Sequence, residues 1–348
     1  LSGVFSQKKE NQQMTTNSTK PGKLVIQWLL DSDPSISWQA LRDLQHAPAA
    51  EVAAERAKVA TKGWGAALLA AQAEGGTWPG GEARFPEYTS LRTLLLLHDM
   101  GLDPASEQAK TAVARVRQNV QWLMNIPKEN LPKDEDISWW HKPFFEGEVE
   151  PCINGRVVTI GAYFGEDMQP IVERLLSEQM ADGGWNCDHE QGSTRGSFHT
   201  TIDVLEGLLE FERATGGSPA VEAARERGQE YLLERRLFKR LSTGEAIEHD
   251  RKDGPVWTQF SYPAGWRYDI LRGLDYLRAT GVKPDPRMKE AIEIIASKRD
   301  VSGRWALGIV HPDEVVAEPG VAEGSPSRWN TLRALRVLDW YDRSSARD

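Results

Sequence analysis

The chain has 348 residues, 40% of them hydrophobic, with 13 tryptophans, two cysteines and a formal net charge of −9. A globule of this length buries roughly three quarters of its unfolded surface, so core size limits nothing, and the acidic balance argues against a track for nucleic-acid phosphates. Two cysteines make no disulfide framework and suit a reducing compartment, while no apolar run approaches the roughly 20 residues of a bilayer span. A cytoplasmic protein without a transmembrane segment is expected, with no signal for its oligomeric state.

Residues 1–20 are polar and begin with Leu1, so they read as a disordered tail with Met14 a candidate start. One domain is expected over 21–348. Polar segments rich in Ala, Glu, Arg and Lys, with apolar residues at helical spacing, fall near 22–30, 50–72, 106–125, 166–180, 217–236 and 285–298. A more apolar helix of little charge follows each. These inner helices open on related phrases: Ser37-Trp38-Gln39, Tyr88-Thr89-Ser90, Cys152-Ile153-Asn154, His199-Thr200-Thr201, Tyr268-Asp269-Ile270 and Arg328-Trp329-Asn330. Thr, Asn and Asp there are natural N-caps, and Asp269 reads as a cap. Gly followed by Pro ends several of them, at 100–104, 214–219 and 279–284.

A second repeat has the form QxxxGxW. It occurs as Gln72-Ala-Glu-Gly-Gly-Thr-Trp78 and Gln179-Met-Ala-Asp-Gly-Gly-Trp185, with a decayed copy in Arg299-Asp-Val-Ser-Gly-Arg-Trp305. The Gly pair stops a helix and the Trp folds back over it. No sustained period of two appears, so no substantial sheet is expected. Six inner helices bury their apolar faces together only if they close on one another. The expectation is all-α, an (α/α)6 toroid of six inner and six outer helices. The loops 127–149, 237–265 and 300–327 lead into inner-helix starts and should crowd one end of the ring.

Both cysteines lie near such starts. Cys152 and His199 head adjacent inner helices, and Cys187 enters the second of them, so the three should meet at one mouth. Glu150, Asp188 and His189 are spare ligands. Zinc takes three or four such N, S or O ligands. Two buried cysteines without metal, or a bare Cys152–His199 nucleophile pair, are the alternatives. Trp38, Tyr88, Tyr268 and Trp329 share the slot of Cys152 and His199 and should ring the mouth, with Trp78, Trp185, Trp266 and Trp305 nearby; a substrate face and core filling are both open to them. Six helix N-termini at one end suit an anion, with Lys142, Arg156, Arg195 and Arg267 placed to assist. Asp203, one turn beyond His199, either orients that ring or pairs with Arg92 or Arg272. Tyr268 joins Cys152, His199 and Asp203 as a catalytic candidate.

The QxxxGxW phrases and the helix alternation, over roughly 22–342, resemble the terpenoid cyclase and protein prenyltransferase superfamily. That resemblance implies an α-helical toroid handling a small isoprenoid or other anionic substrate in an aromatic-lined cavity. The acidic DxDD run of squalene-hopene-type cyclases is missing; Asp134-Glu135-Asp136, before Trp139 and Trp140, is the nearest approach. Glu150-Pro151-Cys152 is similar to the Asp-x-Cys of prenyltransferase β-subunits, and Ser197-Phe198-His199-Thr200 to their histidine phrase. The resemblance therefore implies zinc on Glu150, Cys152 and His199. Of the basic grip on a diphosphate only His141 and Lys142 stand nearby, and no helical partner subunit is encoded. Two other classes remain open: an (α/α)6 carbohydrate hydrolase or lyase, using Asp203, Asp269 or Glu150, and a non-catalytic lipid-binding or scaffold toroid.

Overall fold

A computed structural model describes residues 22–79, 85–123, 141–189, 191–247, 257–312 and 314–345. The polar tail with Met14, the Asp134–Asp136 run, Trp139 and Trp140 lie outside the described residues. The chain is mostly helical. Helices α1 (Lys23–Leu30), α2 (Pro34–Asp43), α3 (Ala49–Arg56), α4 (Gly63–Ala70), α5 (Pro86–Asp99) and α6 (Glu107–Asn119) are followed by two short strands, β1 (Gln121–Leu123) and β2 (His141–Pro143). Next come α7 (Pro151–Phe164), α8 (Gln169–Ser177), α9 (Phe198–Thr215), α10 (Pro219–Glu234), α11 (Ile270–Ala279) and α12 (Lys289–Ser297). Strands β3 (Trp305–Ala306) and β4 (Pro326–Ser327) precede the last helix, α13 (Arg328–Ser345). No described helix is long and apolar enough to cross a membrane.

The caps are those the sequence offers. Asp33, Ser106, Ser218 and Asp269 each accept a backbone N–H in the first turn of α2, α6, α10 and α11. Two outer segments depart from expectation. The 50–72 segment breaks into α3, a 3-10 turn over Ala57–Ala60, and α4. The break is held from a distance: Asp33 takes the Trp64 N–H at 2.7 Å with the oxygen that is not capping α2. The 106–125 segment stops at Asn119, because β1 pairs antiparallel with β2 and buried Trp122 stacks on Phe144.

The repeated phrase has one geometry. In each copy the indole N–H donates at 2.7 Å to the carbonyl ten residues earlier, Leu68, Leu175 or Ile295. Gln72 and Gln179 each donate to a carbonyl inside their own phrase and to one on the next outer helix, Ala112 of α6 or Ala224 of α10. The phrase is thus a clamp between α4 and α6, and between α8 and α10. The third copy reaches the start of the chain, with Arg304 lying 4.1 Å from the Trp28 ring centroid of α1.

Twelve of the 18 residues of α9 are buried, which marks a core helix rather than a one-faced surface helix. Leu91, Val157, Ile202, Leu205, Leu271 and Leu332 are fully buried, each contributing roughly 1.5–3 kcal/mol of transfer free energy. Helix α5 packs on α7, α7 on α9, α11 on α13, and α13 on α2. Trp38 and Gln39 of α2 donate to the carbonyls of Met100 and Asp99 at the end of α5, and Arg272 joins α11 to Asp203 and Glu206 of α9. The α7–α9 contact is backbone against backbone. A Cβ on Gly207 would fall 2.3 Å from the Gly155 carbonyl oxygen, so only glycine permits this approach.

Candidate functional site

Cys152 is the second residue of α7, behind Pro151 at its first position. Cys187 starts a 3-10 turn just after Trp185. That turn is held against α9: the Trp185 carbonyl accepts from Ser197 N–H at 2.7 Å, and its own N–H donates to Thr201 Oγ1 at 3.0 Å. The two Sγ atoms lie 2.8 Å apart as free thiols. Thr200 Oγ1 is 3.3 Å from the Cys187 sulfur, and Glu150 Oε2 accepts from Cys152 at 3.4 Å. Ligand atoms of Glu150, Cys152 and Cys187 fall within 4.8 Å of one another. The hydrogen bond to Cys187, then burial, then the nearby Cys187, Asp203 and Glu150 charges push the Cys152 thiol well above its ordinary range. A second negative charge is unwelcome here; a cation is not. Two sulfurs and a carboxylate are a donor set that fits zinc with one position open. Thiolates on a tetrahedral zinc stand about 3.7 Å apart, so this pair would part slightly, and both cysteines are partly exposed.

His199 stands outside that group of three. Its Nδ1 accepts the Tyr268 backbone N–H at 2.7 Å. An accepting Nδ1 belongs to the tautomer that carries its proton on Nε2. A zinc-bound histidine is the reverse, donating its second N–H to a carbonyl or carboxylate. Nε2 is therefore the donating nitrogen, and the ring packs edge-on against Trp257 and Trp266. The expectation of His199 as a ligand is not met by this geometry, because the start of α11 claims the other nitrogen.

Asp203 does not orient His199. It is fully buried, and Oδ1 accepts from Arg272 at 2.7 Å. Burial pushes its pKa up to about 7, opposed by the Arg272 and Arg156 charges. Tyr268 acts through its backbone; its ring is 2% exposed among Phe198 and Trp257, and burial raises its hydroxyl well above the ordinary range.

A cavity of about 1010 Å³ opens beside the cysteines. Glu150, Cys152, Cys187, His199, Tyr88 and Trp266 line it, as do Trp257, Arg195, Arg235, Lys239 and Arg240, so the described parts of the 237–265 loop reach this end. Six basic side chains face three acidic ones there. Trp257 was not singled out by sequence; its signal was the long loop before α11. Other candidates lie elsewhere. Trp185 is fully buried under α8. Lys142 sits in β2, paired with Trp122. Arg267 covers Trp266 and lies 3.8 Å from Glu314. Trp38 and Trp329 line a second cavity of about 630 Å³, with residues from α2, α5, α7, α9, α11 and α13.

That second cavity is not the aromatic chamber expected. Nine arginines and six carboxylates line it. Trp38 is spanned by Arg42 and Arg56, and Trp329 stacks on Tyr262. Arg92 and Arg156 line both cavities and stand between them. No protein-family model matches the chain, and a search of curated proteins finds no match.

Proposed function

We propose that the chain is a zinc-holding (α/α)6 toroid of the prenyltransferase kind, acting on a small anionic substrate at the cysteine end. Ring closure is supported by the succession of neighbours: α2 meets α5, then α7, α9, α11 and α13, and α13 returns to α2. The functional reading is carried by one observation, the Glu150–Cys152–Cys187 group opening onto a basic and aromatic cavity. Zinc held by those three would supply Lewis acidity and stabilise a thiolate or a departing anion. Around it the chain's own residues have definite tasks. Trp257 and Trp266 offer apolar faces, His199 lines the wall with its ring orientation fixed by Tyr268, and Arg195 and Arg240 offer positive charge at the rim.

The arginines of the inner cavity speak against the cyclase branch of the resemblance, because a bare hydrocarbon there would strip water from charged groups. The same polar lining favours the carbohydrate reading, but its carboxylates are already engaged. Glu206 holds Arg272, Asp275 holds Arg336, Glu210 holds Arg213, Asp43 holds Arg42, Asp99 holds His98 and Glu314 lies by Arg92, while outside that lining Asp203 holds Arg272 and Asp269 caps α11. No free acid–base pair of the kind glycoside cleavage needs is left among them.

Titration of zinc-loaded and chelator-stripped protein with geranyl and farnesyl diphosphate, with a small thiol (cysteine methyl ester) added as the acceptor whose sulfur bonds C1 as pyrophosphate leaves, read by tryptophan fluorescence and pyrophosphate release, tests the proposal. Zinc-dependent binding and release are expected. Binding without zinc and without product assigns the chain to the lipid-binding or scaffold class, and no binding in either form removes the isoprenoid reading.

A further inference from the structure

Arg156 lies on α7 one turn beyond Cys152, and 6% of it is exposed. Each of the other eight arginines lining the inner cavity is held by a protein acceptor. The Arg156 guanidinium makes no hydrogen bond, and no ion pair within 4.0 Å, among the described residues. Buried Asp203 feels its charge, but that carboxylate is bound to Arg272 and stands beyond ion-pair distance from Arg156. A guanidinium keeps its proton at any pH where a protein folds, so it cannot shed the charge as a buried lysine does. A buried charge without a partner is costly, and this one faces open space on two sides.

The surroundings have the same sign. Nine arginines face six carboxylates in the inner cavity, within a chain whose net charge is −9. His98, at that cavity's wall, adds to the surplus at neutral pH. The protein has thus concentrated positive charge inside an acidic exterior.

We propose that Arg156, standing between the two cavities, anchors an anion-binding site that takes a small organic acid or phosphate ester by its carboxylate or phosphate group. The fork of a guanidinium matches both oxyanions in two parallel hydrogen bonds. With Cys152 one turn away on the same face, an anion held here places the rest of the molecule beside the cysteine pair. The inference rests on the anionic substrate of the preceding section and names where its charge is held, but its test does not pass through the metal.

Calorimetric titration of the purified full chain with inorganic phosphate and, separately, with malonate, before and after chelation by EDTA, tests it in wild type, Arg156→Gln and Arg156→Lys. Saturable binding of at least one probe is expected, the same in both metal states, at least tenfold weaker in Arg156→Gln and intermediate in Arg156→Lys. The preferred probe separates a phosphate ligand from a carboxylate one. Without any anion, Arg156→Gln should melt at or above the wild-type temperature, since a charge lacking a partner has been removed. The proposal is overturned if neither probe saturates, if Arg156→Gln binds as wild type does, or if binding vanishes on chelation. An anion-free Arg156→Gln that melts lower or fails to fold also overturns it, because the side chain then has a structural partner.

Discussion

Gly183 and Gly216 hold nearly the same left-handed backbone, φ 84° and 86°, in different company. A Cβ at Gly183 would lie 2.5 Å from the Arg227 carbonyl oxygen of α10, whereas one at Gly216 meets nothing within 4 Å. Alanine at either position pays left-handed strain of about 1–2 kcal/mol. At Gly183 the phrase must also back away from α10, loosening the Gln179 hydrogen bonds to Gly183 and Ala224. Overpacking of that kind adds about 1–3 kcal/mol. Gly183→Ala should therefore lose about 2–5 kcal/mol and Gly216→Ala about 1–2 kcal/mol. Urea unfolding followed by tryptophan fluorescence and far-UV circular dichroism measures both, compared at unchanged m. Equal losses would refute the idea that the repeated phrase clamps α8 to α10.

Two further outcomes follow from buried charge. Burial alone would lower the pKa of His98, but hydrogen bonds to Asp99 and Glu210 push it up to about 10. A raised folded pKa gives stability that is complete below the unfolded value of 6.5 and is lost as pH rises through about 10; melting at pH 6, 8 and 10 should show wild type losing its advantage over His98→Gln across that window, and a constant difference would contradict it. Arg272 is 8% exposed and binds Asp203, Glu206 and the carbonyls of Gly265 and Arg267. Arg272→Met should lose about 3–5 kcal/mol in urea unfolding by leaving a buried carboxylate alone, and a loss under 1 kcal/mol would show that the α9–α11 junction does not depend on it.

Much of the helical order was legible because its signals are local. The Trp of each phrase bonds ten residues back, Gln72 and Gln179 bond within their own phrases and to the next helix of the polar set, and the caps Asp33, Ser106, Ser218 and Asp269 act on their own helices. The approach of Cys152 to Cys187 was legible because both lie at the entry to adjacent inner helices. What failed was decided across long separations. The break before α4 depends on Asp33, 31 residues earlier, and the role of His199 on the Tyr268 N–H, 69 residues later. The arginine lining was hidden for another reason. Taken singly, Arg42, Arg213 and Arg278 read as last-turn partners of helix carbonyls, and only the rotation of six helices about their axes sets them around one space with Arg92, Arg156 and Arg333.

Zinc content of the purified chain, measured by inductively coupled plasma mass spectrometry, bears most directly on the site. Wild type and His199→Ala should each carry about one zinc per chain, while Cys152→Ala and Cys187→Ala lose it. Wild-type protein that takes up no zinc, or His199→Ala that loses it as completely as Cys152→Ala does, would contradict the assignment of Glu150, Cys152 and Cys187 as the metal's holders.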